Sequence, residues 1–291
     1  MRVSLLCLTL AVALSTATPA LAAKPCDGPG HGKLLIQGGG GAPEEYTAKG
    51  LQLCGGPGSR VVVVAYATGN LHPHSKGEIE YDVLVAMLKK SWTDAGAINV
   101  TVLDLETDEG SAIAAVEAAD YIFFDGGDQK TLLKWMDGAP AVMAAIRRRH
   151  AAGALVGGMS AGAAAMPALM IKGGETADLT AIKSGGTEIG AGLGFWPEVI
   201  TDQHFVKRQR FARLVSAVLD NPAFPGIAID EETAILVSGD SFEVFGKGGV
   251  IVIDARHTKV GKAAKGEVQS GRGMRMSVLR AGDRFDWKKG K

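Results

Sequence analysis

Short apolar runs alternate along this chain with longer stretches of helical spacing. Lys33 to Gln37, Arg60 to Tyr66, Ile98 to Leu103, Tyr121 to Phe124 and Ala154 to Val156 are the runs. They are rich in Val, Ile, Leu and Phe at successive positions, the pattern of parallel strands buried on both faces. Glu78 to Ala95 carries Ile79, Val83, Leu84, Met87 and Leu88 at helical intervals, and Ser111 to Ala118, about Ala139 to Ala151, and Ala161 to Met170 read as further helices. Strands alternating with helices specify an α/β fold, a mostly parallel sheet with helices on both faces. Ligands of such sheets bind at the carboxyl ends of the strands.

Downstream, Gly194 to Phe205 reads as a strand that delivers His204 at its end, and Gln209 to Leu219 as a helix. Ile227 to Val237 is a strand, a short turn and a strand. Val244-Phe245, Val250 to Ile253 and Met276 to Leu279 predict small antiparallel strands, a C-terminal extension that closes a single domain.

The first 22 residues combine Arg2, the apolar stretch Val3 to Val12 and Pro19-Ala20-Leu21-Ala22, the layout of a secretory signal peptide cut before Ala23. The apolar run is shorter than the roughly 20 residues a membrane span needs. The expectation is a secreted protein, extracellular or periplasmic, with residues 23–291 as its one domain and no membrane association after cleavage. Cys7 leaves with the leader, so Cys26 and Cys54 remain as a candidate disulfide in an oxidising compartment, against the alternative of two unpaired thiols. Lys plus Arg equals Asp plus Glu at 31 each, and aromatic residues make up 6%, so neither a basic footprint nor a stacking platform for nucleic acid is present.

Gly158-Met159-Ser160-Ala161-Gly162 falls between a predicted strand and a predicted helix. In a nucleophile elbow, small residues two positions either side of the serine let neighbouring chain pass while the strained backbone aims the hydroxyl outward. The amide of Ala161 then faces a developing oxyanion. The alternative is a packing helix in a chain with 40 glycines.

A serine nucleophile needs a base, and of six histidines only His204 ends a predicted core strand. His72-Pro73-His74 lies in a polar loop with no ligand cluster beside it, so a solvated loop outweighs half a metal site. Gly38 to Gly41 follow a strand without a Gly-Lys-Ser/Thr sequence, which favours close backbone approach over a phosphate cradle. No cofactor or metal is called for.

Four motifs in order resemble the cyanophycinase family of serine peptidases, peptidase family S51, which also includes aspartyl dipeptidases. They are Gly126-Gly127-Asp128-Gln129, Gly158 to Ala163, Asp202-Gln203-His204-Phe205 with Arg208, Arg210 and Arg213, and Gly226 to Glu231. The likeness spans about residues 33–260. It implies a class I glutamine amidotransferase-like, flavodoxin-type sandwich, with Ser160 as nucleophile, His204 as general base and Glu231 as the orienting acid; Asp178 is the alternative acid. It implies an oxyanion hole from the amides of Ala161 and of Gly127 or Asp128. The order Ser, His, Glu differs from the Ser, acid, His of a standard α/β hydrolase.

The resemblance further implies cleavage beside aspartate, with cyanophycinases releasing β-aspartyl-arginine from a polyaspartate carrying arginine branches. Gln129, Asp202, Gln203, Arg208, Arg210 and Arg213 are the candidates for binding such a substrate. Relatives are often dimers. Val206, Lys207, Gln209 and Phe211 depart from the small or polar residues common between those arginines. That leaves open an exported aspartyl or isoaspartyl dipeptidase acting on small Asp-containing peptides, and, outside catalysis, a binding protein on the same fold.

Overall fold

The computed structural model describes residues 32–40, 44–68, 81–173 and 181–291. The expected leader, Cys26, His31, the His72-Pro73-His74 stretch and Asp178 lie outside them. Cys54 is disulfide-bonded.

The elements follow in chain order: β1 (Leu34–Gln37), α1 (Glu44–Leu53), β2 (Arg60–Val64), α2 (Tyr81–Asp94), β3 (Asn99–Leu103), α3 (Glu109–Ala118), β4 (Tyr121–Phe124), α4 (Gln129–Asp137), α5 (Pro140–Ala151), β5 (Leu155–Met159) and α6 (Ala161–Ala165). Then come β6 (Leu169–Ile171), β7 (Ile189–Ala191), β8 (Ile200–Gln203), α7 (Phe211–Asp220), β9 (Gly226–Ile229), β10 (Thr233–Ser238), β11 (Ser241–Gly246) and β12 (Val250–Asp254). Four short strands end the chain: β13 (Lys259–Val260), β14 (Gly271–Arg272), β15 (Arg275–Leu279) and β16 (Arg284–Asp286).

The main sheet runs β16-β11-β10-β1-β5-β4-β2-β3, parallel from β1 to β3 and antiparallel from β1 to β16. Both faces of its parallel half are covered, as the unbroken apolar runs required. Val62 and Val64 point to one core, with α3, α4 and α5, while Val61 and Val63 point to the other, with α1 and α2. In that second core Trp92 meets Tyr121 and Phe123 edge-on, each at 5.1 Å between centroids, a geometry that suits the ring quadrupoles.

The C-terminal strands divide differently from a simple tail. β10, β11 and β16 widen the main sheet, whereas β8, β9, β12 and β15 form a second, four-stranded sheet. Ile227, Ile229, Val250 and Val252 of that second sheet pack into the main core, and Ala228 and Ile253 face α7. The strand, turn and strand of Ile227 to Val237 is therefore no hairpin: its two arms lie in different sheets.

Other expectations shift locally. The helix expected over Ala161 to Met170 stops at Ala165, since Pro167 has no N–H to continue the ladder, and Leu169–Ile171 forms β6 instead. Helices α1 and α4, absent from the sequence reading, fill the gaps after β1 and β4. No helix among the described residues is long and apolar enough to cross a membrane.

One ion pair fastens α7 to the second sheet. Arg213 donates from Nε to Asp202 Oδ2 at 3.0 Å and from Nη2 to Asp202 Oδ1, and each residue is at most 2% exposed. Removing one partner of a buried pair strands the other charge without water. Arg213→Ala should lose about 3–5 kcal/mol of unfolding free energy in urea titrations, and a midpoint equal to wild type would remove the pair from this role.

Candidate active site

Three neighbouring strands of the main sheet bring their carboxyl ends together in the order β1, β5, β4. Gly38–Gly40 leave β1, Ser160 leaves β5, and Asp125–Asp128 leave β4. This is where an open α/β sheet places its ligands.

Ser160 sits at φ 51°, ψ −107°, a region that L-residues avoid unless the surroundings impose it. The surroundings here are backbone. A Cβ on Gly158 would lie 2.6 Å from the carbonyl carbon of Gly162, and one on Gly162 would lie 2.2 Å from the carbonyl oxygen of Phe124. Both glycines are thus required for β5, α6 and β4 to converge, as the pentapeptide suggested. Ser160 N donates to Gln37 O at 3.1 Å, which fixes the turn to β1 and leaves the partly exposed hydroxyl aimed away from the sheet.

His204 comes from the other sheet. It follows β8, also at positive φ (49°), and its amide donates to Gly38 O at 2.8 Å. Nε2 lies 2.9 Å from Ser160 Oγ and Nδ1 lies 2.7 Å from Glu231 Oε1. Glu231 stands in the turn where the chain crosses from β9 in the second sheet to β10 in the main one, and the next amide, Glu232 N, donates to Gly39 O at 2.9 Å. Side chains at the β1 end would destroy this packing: a Cβ on Gly39 would meet His204 Cε1 at 2.2 Å, and one on Gly40 would meet Glu231 Cβ at 2.7 Å. The glycines at 38–40 therefore act through close backbone approach.

Burial holds the His204 imidazole below its ordinary pKa. The bond to Glu231 pulls the other way, and the cations of Arg208 and Arg210 reinforce the depression. The neutral ring that a general base needs is thus the favoured form at neutral pH.

The amides facing Ser160 are not equivalent. Asp128 N donates to Ala67 O at 2.9 Å, so it is already engaged, and the Asp128 carboxylate caps α4 by accepting from Thr131 N at 2.6 Å. Asp128 is a structural cap with its amide engaged, which corrects its assignment to the oxyanion hole and leaves Gly127 and Ala161 as the candidates. Gly127, at φ 137°, passes so close to Ala67 O that a Cβ would lie 2.3 Å from it. Asp125, overlooked in the sequence, ends β4 beside this loop, and burial pushes its carboxyl up to about 6.

The six residues expected to bind substrate separate into two groups. Asp202, Gln203, Arg210 and Arg213 are buried and satisfy one another: Arg213 grips Asp202, while Arg210 Nη1 donates to Gln203 O at 2.8 Å and to its side-chain Oε1. Gln129 is buried too, with Nε2 donating to Ile171 O at 3.1 Å. Direct contact with a substrate through Asp202 and Arg213 is accordingly replaced by a supporting role beneath the site. Arg208 alone of the three arginines is exposed, near enough to His204 for its charge to be felt there. No three His, Cys, Asp or Glu side chains group as a metal site among the described residues.

Asp230 was within a quoted motif but received no role. It accepts from the amides of Val206 and Lys207 at 3.1 and 3.2 Å. An acidic residue beside Glu231 in a tight turn was the available signal.

Comparison with known proteins identifies the family. The model of peptidase family S51 matches residues 39–245. The cyanophycinase of Trichormus variabilis is 39% identical over 204 residues, 66% of this chain and 66% of the relative, so the match spans just under two thirds of that relative's length. The cyanophycinase of Geminocystis herdmanii is 36% identical over 68% of this chain and 75% of its own. Among solved structures, a peptidase from an acI-B1 actinobacterium superposes with a TM-score of 0.62 at 20% identity, covering 88% of this chain and 97% of its own. A putative peptidase E from Listeria monocytogenes EGD-e gives 0.54 at 17%, covering 75% and 100%. These last two share the fold. The family expected from the four motifs is thus the one found, and the chain belongs to peptidase family S51.

Proposed function

We propose that this protein is an exported serine peptidase that hydrolyses cyanophycin to β-aspartyl-arginine through a Ser160-His204-Glu231 triad. The observation that carries the reading is the unbroken contact from Ser160 Oγ to His204 Nε2 and from His204 Nδ1 to Glu231 Oε1. The cyanophycinase relatives support the substrate. The leader read over residues 1–22 supports export, and export favours the polymer over small peptides as substrate, since an insoluble polymer cannot be imported whole.

In this mechanism His204 Nε2 accepts the Ser160 proton as Oγ attacks the scissile carbonyl, and Glu231 steadies the imidazolium through Nδ1–H. The amides of Ala161 and Gly127 hold the tetrahedral oxyanion. His204 then returns the proton to the leaving amine. Water, deprotonated by the same ring, hydrolyses the acyl-enzyme. Arg208 is the exposed cation for a substrate carboxylate, which a guanidinium grips with two parallel bonds.

Three outcomes test this. Mature protein incubated with cyanophycin should release β-aspartyl-arginine, identified by mass, and Ser160→Ala should stay folded while losing at least about a thousandfold in rate; unchanged turnover in that variant would sink the triad. Activity should persist below the ordinary histidine range and fall only as pH drops through the depressed pKa of His204, because protonation removes the base. Arg208→Gln should raise KM and, by deleting a cation that opposes protonation of His204, move the acid limb to higher pH; a limb that stays still would remove Arg208 from the vicinity of the base.

A further inference from the structure

His204 opens a tight turn, and the turn carries the exposed Arg208. Within it Arg208 N donates to His204 O at 2.9 Å, Gln209 N to Val206 O at 3.1 Å and Arg210 N to Phe205 O at 3.0 Å. The first amides of such a turn have no partner inside it, as at the start of a helix. Those are Val206 N and Lys207 N, and both donate to one oxygen, Oδ1 of Asp230. Asp230 is itself anchored, with its amide donating to Gly249 O at 3.1 Å, and it directly precedes Glu231.

A single carboxylate oxygen therefore ties the turn that holds the base to the turn that holds the acid. We propose that Asp230 is a positioning residue that sets the His204 imidazole against Ser160 and the Arg208 guanidinium over the site at once. It touches neither substrate nor the reacting atoms. Its bonds lie at the exposed edge of the site, where water offsets most of their contribution to stability, so the effect belongs to geometry more than to folding. A displacement of about 1 Å at a catalytic group is enough to cost on the order of a hundredfold.

The inference rests on the triad reading, and the experiment separates the two. Wild type, Asp230→Asn and Asp230→Ala are compared for fluorophosphonate labelling of Ser160, for kcat and KM on cyanophycin, and for the downfield proton resonance of His204 Nδ1–H. The amide side chain of Asn keeps an acceptor oxygen in the same place, so Asp230→Asn should stay within about threefold of wild type, while Asp230→Ala should label and turn over about tenfold or more slowly, with a raised KM and a shifted His204 signal. Should the alanine variant not fold, Asp230→Ser, whose hydroxyl falls short of both amides, replaces it. Labelling and turnover in Asp230→Ala equal to wild type would overturn the proposal, and so would a loss in Asp230→Asn as deep as in Asp230→Ala. Wild type that resists the probe would instead overturn the triad, and this inference with it.

Discussion

Everything at this site depends on backbone meeting backbone at the end of β1. Gly38 accepts the amide of His204, Gly39 accepts that of Glu232, and Gln37 accepts that of Ser160, so three successive carbonyls at the end of β1 hold the turns that carry Ser160, His204 and Glu231. Such bonds have nearly fixed length, so the spacing among the three side chains follows from the path of the backbone over residues 37–39. The condition is that nothing projects from the strand end. A methyl group on Gly39 would occupy the space of the imidazole.

The electrostatics follow from the same closeness. Sealing His204 between β1 and the two turns removes water from the ring, which disfavours the imidazolium, and Glu231 restores part of what burial takes away. The imidazole is thus kept neutral at neutral pH with a carboxylate still held against its Nδ1.

Much of this was legible in the sequence. The valine run of β2 is apolar at every position because both faces are covered, and Gly158 and Gly162 flank Ser160 for the steric reason that the pentapeptide implies. Helix α1 escaped notice because Gly50 and a mixed polar sequence blur its periodicity; α4 is announced mainly by its Asp128 cap. The second sheet was hidden for a different reason. Two short apolar strands around Asp230-Glu231-Glu232 have the local pattern of a hairpin, and only long-range pairing sends one arm to β8 and β12 and the other to β1. Charge left two readings, since Asp202 suited either a substrate guanidinium or the arginines of its own chain; it pairs with Arg213, 11 positions on, and no local pattern tells that each hides the other from water.

The crossing at Glu231 makes the contact from Ser160 through His204 to Glu231 a property of the meeting of two sheets. Ser160 follows a strand of one sheet and His204 a strand of the other, and Glu231 rides on one of the turns that join them. Neither layer alone brings an imidazole and a carboxylate to the serine.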